Sequence, residues 1–68
     1  MTPEQKADEL VSEAERICAT HDGCHSLPSL LYDLRVHRKH FRSDNPEYSL
    51  GWMEYIIASM RRRVGLLS

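Results

Sequence analysis

The chain has 68 residues, of which 28% are charged and 41% hydrophobic, and its formal net charge at pH 7 is −1. This composition is typical of one ordinary globular domain, and it excludes both a disordered chain and a strongly basic one. The first residues lack the basic and apolar regions of a signal peptide, and no apolar run could span a bilayer, so we expect a cytoplasmic protein with no membrane partner.

The first segment predicts an amphipathic helix over about residues 3–20. Thr2, Pro3 and Gln5 have the pattern of a capping box, in which the threonine and glutamine side chains each bond a backbone N–H of the other residue. Apolar residues then recur at spacings of three and four and predict a narrow buried seam: Ala7, Leu10, Val11, Ala14, Ile17 and Cys18. A turn should follow, formed by His21, Asp22 and Gly23.

The end of this helix and the following turn hold several residues of the types that bind zinc: Cys18, His21, Cys24 and His25. Structural zinc sites usually combine ligand pairs from two separate elements, whereas these residues form a single cluster. Cys18 also belongs to the apolar seam, where a free cysteine behaves as a small buried hydrophobic residue. We therefore expect no metal and no other cofactor, and a zinc site on these residues is the weaker alternative.

A second helix is predicted over about residues 28–42, with Ser26 as its cap. Tyr32 falls away from the inward stripe and is expected at the surface or in an interface. The inward stripe itself consists of Leu27, Leu30, Leu31, Leu34 and Phe41. Residues 1–20 carry an excess of acids and residues 21–43 an excess of bases, which favours antiparallel packing of the first two helices. Ordinary solvated faces are the simpler interpretation.

Two basic windows, residues 35–42 and 61–63, are candidates for contact with nucleic acid: Arg35, Arg38, Lys39, Arg42, Arg61, Arg62 and Arg63. Clustered cations bind phosphate groups. The simpler interpretation is that these cations occupy the last turns of helices, where the helix dipole stabilises them. We prefer it, because nucleic-acid-binding domains generally carry a net positive charge that this chain lacks.

The third predicted helix, about residues 46–64, is the longest apolar-periodic segment of the chain. Its main stripe consists of Leu50, Met53, Ile57, Met60, Val64 and Leu67. A second stripe, about a quarter-turn away, widens the apolar face beyond what one neighbouring helix would cover: Tyr48, Trp52, Tyr55 and Ile56. Gly51 indicates either chance or the close approach of another backbone. Gly65, after the arginines, predicts the helix end.

These patterns predict an all-α fold, a small three-helix bundle made of an N-terminal helix and a helical hairpin, which dimerises through its C-terminal helix. A dimer is expected because a chain this short buries a modest core and commonly needs further stabilisation. The sequence has no phosphate-binding loop, nucleophile elbow or HExxH motif. We therefore expect no enzymatic activity.

The expected function is that of a small protein–protein interaction module acting as a homodimer, an adaptor or a stoichiometric inhibitor of the kind carried by phages and mobile elements. Tyrosine and tryptophan near arginine dominate binding hot spots. The expected contacts with a second copy or an unidentified protein are Tyr48, Trp52, Tyr55, Ile56 and Tyr32. In one alternative, the basic windows make the chain a small nucleic-acid-binding or transcription-regulatory protein. In another, Trp52 fills the core of a monomer.

Overall fold

The structure is a computed structural model that describes residues 1–21 and 23–67, without the side chains of residues 66 and 67. The described residues form three α-helices and no strand, and each helix packs against the other two. The helices are α1 (Pro3–Thr20), α2 (Leu27–Lys39) and α3 (Pro46–Leu67). The predicted all-α three-helix bundle is confirmed. None of these helices is both long enough and apolar enough to cross a bilayer.

The start of α1 has the predicted capping box. Gln5 donates its backbone N–H to Thr2 Oγ1 at 3.1 Å, and Thr2 donates its own backbone N–H to Gln5 Oε1 at 2.9 Å. After the helix, Gly23 has a φ of +100°, in the left-handed region that the turn was expected to require. Asp22, also assigned to this turn, lies outside the described residues.

The core lies where the apolar seams of the helices meet. The buried hydrophobic residues are Ala7, Ala14, Leu27, Leu34, Met53, Ile56, Ile57 and Met60. The remaining described members of the predicted seams are partly buried and pack against them: Leu10, Val11, Ile17, Cys18, Leu30, Leu31, Phe41, Leu50 and Val64. Leu67, assigned to the same stripe as Val64, has its side chain outside the described part. The spacing of apolar residues therefore predicted the inward faces well.

Ion pairs between α1 and α2 join the acidic segment to the basic one. Arg38 Nε lies 2.7 Å from Asp8 Oδ1, and Arg35 Nη2 lies 2.9 Å from Glu15 Oε2. Because the later residue of α1 pairs with the earlier residue of α2, these two helices are antiparallel. The charge asymmetry thus corresponds to contacts between the helices and not only to solvated faces.

The direction of α3 follows from its contacts with both neighbours. Lys6 pairs with Glu54, and Glu13 pairs with Arg61, so α1 and α3 are parallel. In the connection to α3, the backbone N–H of Arg42 donates to the Ser49 hydroxyl at 2.9 Å. The bundle therefore runs up, down and up, and α2 and α3 form the predicted hairpin.

Two predicted features of α2 differ from the structure. The helix ends at Lys39 and not near residue 42, because Phe41 turns towards the core and the Arg42 N–H bonds to Ser49, a buried residue of α3. Ser26 occupies the N-cap position but makes no side-chain bond to the helix. Its hydroxyl instead lies 3.5 Å from Cys24 Sγ.

The predicted end of α3 at Gly65 is wrong, since the helix continues to Leu67. An interior glycine costs a helix only about 1 kcal/mol relative to alanine, and leucine is a strong helix former, so Gly65 alone does not stop it. The arginines at 61–63 therefore do not lie in the last turn. The helix dipole, which falls off within one turn, does not explain their position.

The ion pair between Asp8 and Arg38 should make the stability of the bundle depend on acid pH. The hydrogen bond that Arg38 donates to the Asp8 carboxylate lowers the pKa of Asp8 below its ordinary value of 3.8. A lowered pKa in the folded state means that the ionised form stabilises the fold. The contribution of the Asp8 charge to stability is therefore complete above the ordinary pKa, and it is lost as the pH falls through the lowered pKa of the folded state. It should be small, because Asp8 is exposed.

Asp8→Asn should accordingly be less stable than the wild type at about pH 6, and the difference should shrink as the pH falls towards about 2.5. Urea unfolding of both proteins at the two pH values, followed by circular dichroism, measures this difference. A stability difference that persists in acid would show that the aspartate acts through something other than its charge.

Candidate functional site

Three aromatic side chains lie together on the outward face of α3. We call the surface formed by Tyr48, Gly51, Trp52 and Tyr55 the aromatic surface. Successive helix residues are rotated by about 100°, so Tyr55 points away from the core when Met53, two residues earlier, is buried in it. Trp52 is 46% exposed. The alternative in which Trp52 fills the core of a monomer is therefore wrong.

Contacts from α2 and from its connection to α3 hold these aromatic side chains in place. His37 stacks on Trp52 with ring centroids 5.8 Å apart and planes inclined by 10°, and Tyr55 meets Trp52 edge-on at 6.1 Å. The Arg42 guanidinium lies 5.8 Å from the centre of the Tyr48 ring. Side chains already held in one arrangement lose less conformational entropy when a partner binds. The side chains of the aromatic surface are thus held by their neighbours in one arrangement.

The aromatic side chains border a shallow, open depression of about 570 Å³. Its lining is mostly apolar, and Glu47 is the charged residue among those that form it: Glu47, Tyr48, Gly51, Trp52 and Tyr55. A Cβ atom added at Gly51 would meet no atom within 4 Å. No other backbone of the described chain therefore approaches this glycine closely, and the space above it is open to a partner.

Two residues that the sequence analysis assigned to the same contact region lie elsewhere. Ile56 is 6% exposed and belongs to the core. Tyr32 is exposed on α2, but it is two residues from the buried Leu34 and hence rotated by about 200° from the inward direction. Tyr32 therefore points outward from the far side of α2 and does not extend the aromatic surface.

Several cations of the two basic windows are neutralised by acids within the chain. Arg35, Arg38 and Arg61 pair with acids of α1. Arg42 pairs with Asp44 at 3.1 Å, and this pair raises the pKa of the arginine and lowers that of the carboxyl. The exposed cations without an ion pair in the described part of the chain are Arg16, Lys39, Arg62 and Arg63. Four of the seven cations expected to bind phosphate are thus paired with acids within the chain.

The structure does not assemble Cys18, His21, Cys24 and His25 into a metal site. Among the described residues, no group of three or more His, Cys, Asp or Glu side chains is placed to hold a metal ion. His21 Nδ1 instead lies 3.0 Å from the Ile17 carbonyl oxygen at the end of α1. The expectation that no metal is needed stays a prediction.

The two thiols of this region are both free and differ in their surroundings. Burial raises the pKa of Cys18, which packs against the core as expected for a seam residue. The hydrogen bond with Ser26 lowers the pKa of Cys24. Neither cysteine contributes to the aromatic surface.

The aromatic surface is therefore the candidate functional site of the described chain, with Glu47 at one end and Arg62 two turns beyond Tyr55. Comparison of the chain with protein-family models, curated proteins and solved structures gives no significant match.

Proposed function

We propose that this protein is a small, non-enzymatic protein–protein interaction module that binds its partners through the aromatic surface of α3. The observation that carries this proposal is the group of Tyr48, Trp52 and Tyr55, all exposed, adjacent and held by neighbouring side chains. A module of this kind acts stoichiometrically, as an adaptor or an inhibitor. A second copy of the chain is included among the proposed partners.

The chemistry of the aromatic surface suits a protein partner. Tyrosine and tryptophan offer large apolar contact areas together with a polar group, and both are enriched among the residues that dominate binding energy. The depression beside Gly51 gives an incoming side chain a place to enter. Contiguous exposed apolar surface on a small domain is typical of an interaction site.

The same features favour a protein over nucleic acid as the partner. Exposed aromatic rings can stack on bases, but single-strand-binding surfaces combine such rings with a positively charged groove. Here the charged residue lining the depression is Glu47, whose negative charge repels phosphate. Arg42, which lies over Tyr48, is already paired with Asp44.

The test compares two exposed tyrosines under the same substitution. Tyr55 and Tyr32 are 63% and 68% exposed, and only Tyr55 belongs to the aromatic surface. Tyr55→Ser should weaken association by about 10-fold or more, the effect expected for an interface hot spot, and Tyr32→Ser should leave it unchanged. Self-association is measured by sedimentation equilibrium, and binding of other proteins is measured with partners recovered by cross-linking and mass spectrometry.

Binding to single-stranded and duplex nucleic acid should be measured in parallel over a range of salt concentrations. Strong binding that falls steeply with salt and does not respond to Tyr55→Ser would contradict the proposal and support the nucleic-acid alternative. Equal effects of the two tyrosine substitutions on protein association would also contradict it.

A further inference from the structure

We propose that a second copy of this chain occupies the aromatic surface, with the two α3 helices packed antiparallel about a two-fold axis at Tyr55. In this arrangement Arg62 of the partner subunit enters the depression between Tyr48 and Glu47. The inference rests on the proposed function and specifies its partner.

The spacing of residues along the outward face of α3 sets the register of this pairing. Tyr48, Tyr55 and Arg62 recur every seven residues, which is about two helical turns, so they lie along one line of the helix surface. Tyr48 and Arg62 are each about 10 Å from Tyr55 along the axis, on opposite sides. A two-fold axis through Tyr55 and perpendicular to the helix therefore brings Arg62 of one copy to the level of Tyr48 of the other.

The two ends of this face carry complementary charges. Glu47 lies near the start of α3 and lines the depression, whereas Arg62 lies near the other end and is exposed without an ion pair in the described part of the chain. Antiparallel pairing brings each Glu47 close to an Arg62 of the partner subunit, twice by symmetry. Parallel pairing would instead bring like charges together, and it would also align the helix dipoles unfavourably.

The residues that line the depression suit a guanidinium group. Arginine stacks on aromatic rings and forms planar hydrogen-bonded pairs with carboxylates. Tyr48, Trp52 and Glu47 offer both kinds of contact in one place. Arg42, which already lies over the Tyr48 ring, is neutralised by Asp44 and so repels a second guanidinium less.

Small residues at the contact allow the two helices to approach closely. The same two-fold axis places Gly51 of one copy at the level of Ser59 of the other, so two small residues lie at the same height in the contact. Gly51 has open space above it, and the Ser59 hydroxyl donates to the Tyr55 carbonyl oxygen at 3.1 Å. The hydroxyl is thus satisfied within its own helix, and contact with a partner leaves no polar group unpaired.

Charge exchange across the axis tests this arrangement. Arg62→Glu and Glu47→Arg should each raise the dissociation constant of the dimer by about 10-fold or more, because each places like charges in contact at two symmetric positions. The double variant Glu47→Arg/Arg62→Glu restores the complementarity and should return the constant to within about 3-fold of the wild type. Lys39→Glu, the same change of charge on α2, is the matched control and should have no effect.

The dissociation constants are measured by sedimentation equilibrium at low salt in a reducing buffer, since Cys18 and Cys24 are free thiols. Circular dichroism must first show that each variant is folded. Glu47→Arg places a cation in the first turn of α3, where the helix dipole disfavours it. If that variant unfolds, the dissociation constants of Arg62→Glu and Lys39→Glu are compared, and this comparison by itself tests the antiparallel arrangement.

Each outcome has a defined consequence. A dimer weakened by both single variants and restored by the double variant supports the arrangement. A wild type that stays monomeric at tens of micromolar overturns the self-pairing, while the proposed function stands if Tyr55→Ser still reduces binding of another protein. A dimer that tolerates Arg62→Glu overturns the antiparallel register. A dimer that also tolerates Tyr55→Ser forms through another surface and overturns the self-pairing, and the proposed function fails as well if the same substitution leaves binding of other proteins unchanged.

Discussion

Leu34→Ala is expected to lower the free energy of unfolding by about 2–5 kcal/mol, the range for deleting a buried leucine side chain. Leu34 is fully buried among the core residues contributed by the described helices. A domain of this length has a total stability of only about 3–10 kcal/mol. The substitution should therefore remove a large part of the stability of the protein and leave a substantial unfolded fraction at 37 °C.

Val36→Ala is the matched control for this prediction. Val36 lies two residues along the same helix and is 37% exposed, so its truncation should change the free energy of unfolding by no more than about 1 kcal/mol. Urea unfolding followed by circular dichroism gives both values under one set of conditions. Similar losses for the two variants would show that α2 does not present Leu34 to the core as described.

Trp52→Ala is expected to weaken association by about 2 kcal/mol or more, which corresponds to a roughly 30-fold rise in the dissociation constant. Trp52 is the central residue of the aromatic surface, in contact with His37 on one side and Tyr55 on the other. The substitution removes the largest side chain of the aromatic surface, and it leaves His37 and Tyr55 without the ring that they contact. The variant should remain folded, because the indole is half exposed and lies outside the buried core.

Trp52 can also be followed by its fluorescence, since it is the only tryptophan in the chain. Its fluorescence emission should shift to shorter wavelength when a partner covers it and return on dilution. Trp52→Phe, which keeps an aromatic ring, should retain more affinity than Trp52→Ala. A folded Trp52→Ala protein with undiminished association, together with emission that does not respond to dilution, would exclude this residue from the interface.

The sequence predicted those features that depend on neighbours along the chain. The capping box of Thr2 and Gln5 forms because both residues belong to the same first turn. The inward faces follow from a helical period that every residue shares. The left-handed Gly23 follows from its lack of a Cβ atom. Each of these needs no knowledge of which helix packs against which.

The candidate site was only partly predictable for the same reason. Periodicity placed Trp52 and Ile56 in one flanking stripe, and both are within reach of a neighbouring helix. The structure separates them. Ile56 is buried where the helices meet, whereas Trp52 lies at the edge of the contact with α2, covered on one side by His37. Which side of a broad apolar stripe becomes core depends on the position of the packing helices, which sequence spacing does not specify.

By itself, then, the sequence determined the number of helices, their approximate bounds and the residues that face inward, because local hydrogen bonding and helical periodicity act over a few residues. Only the tertiary structure decided that Trp52 is left on the surface and that Arg35, Arg38 and Arg61 pair with acids of α1. These outcomes depend on contacts between residues far apart in the chain. Burial and the Coulomb interaction are set by distance in space, and the packing of the helices fixes that distance.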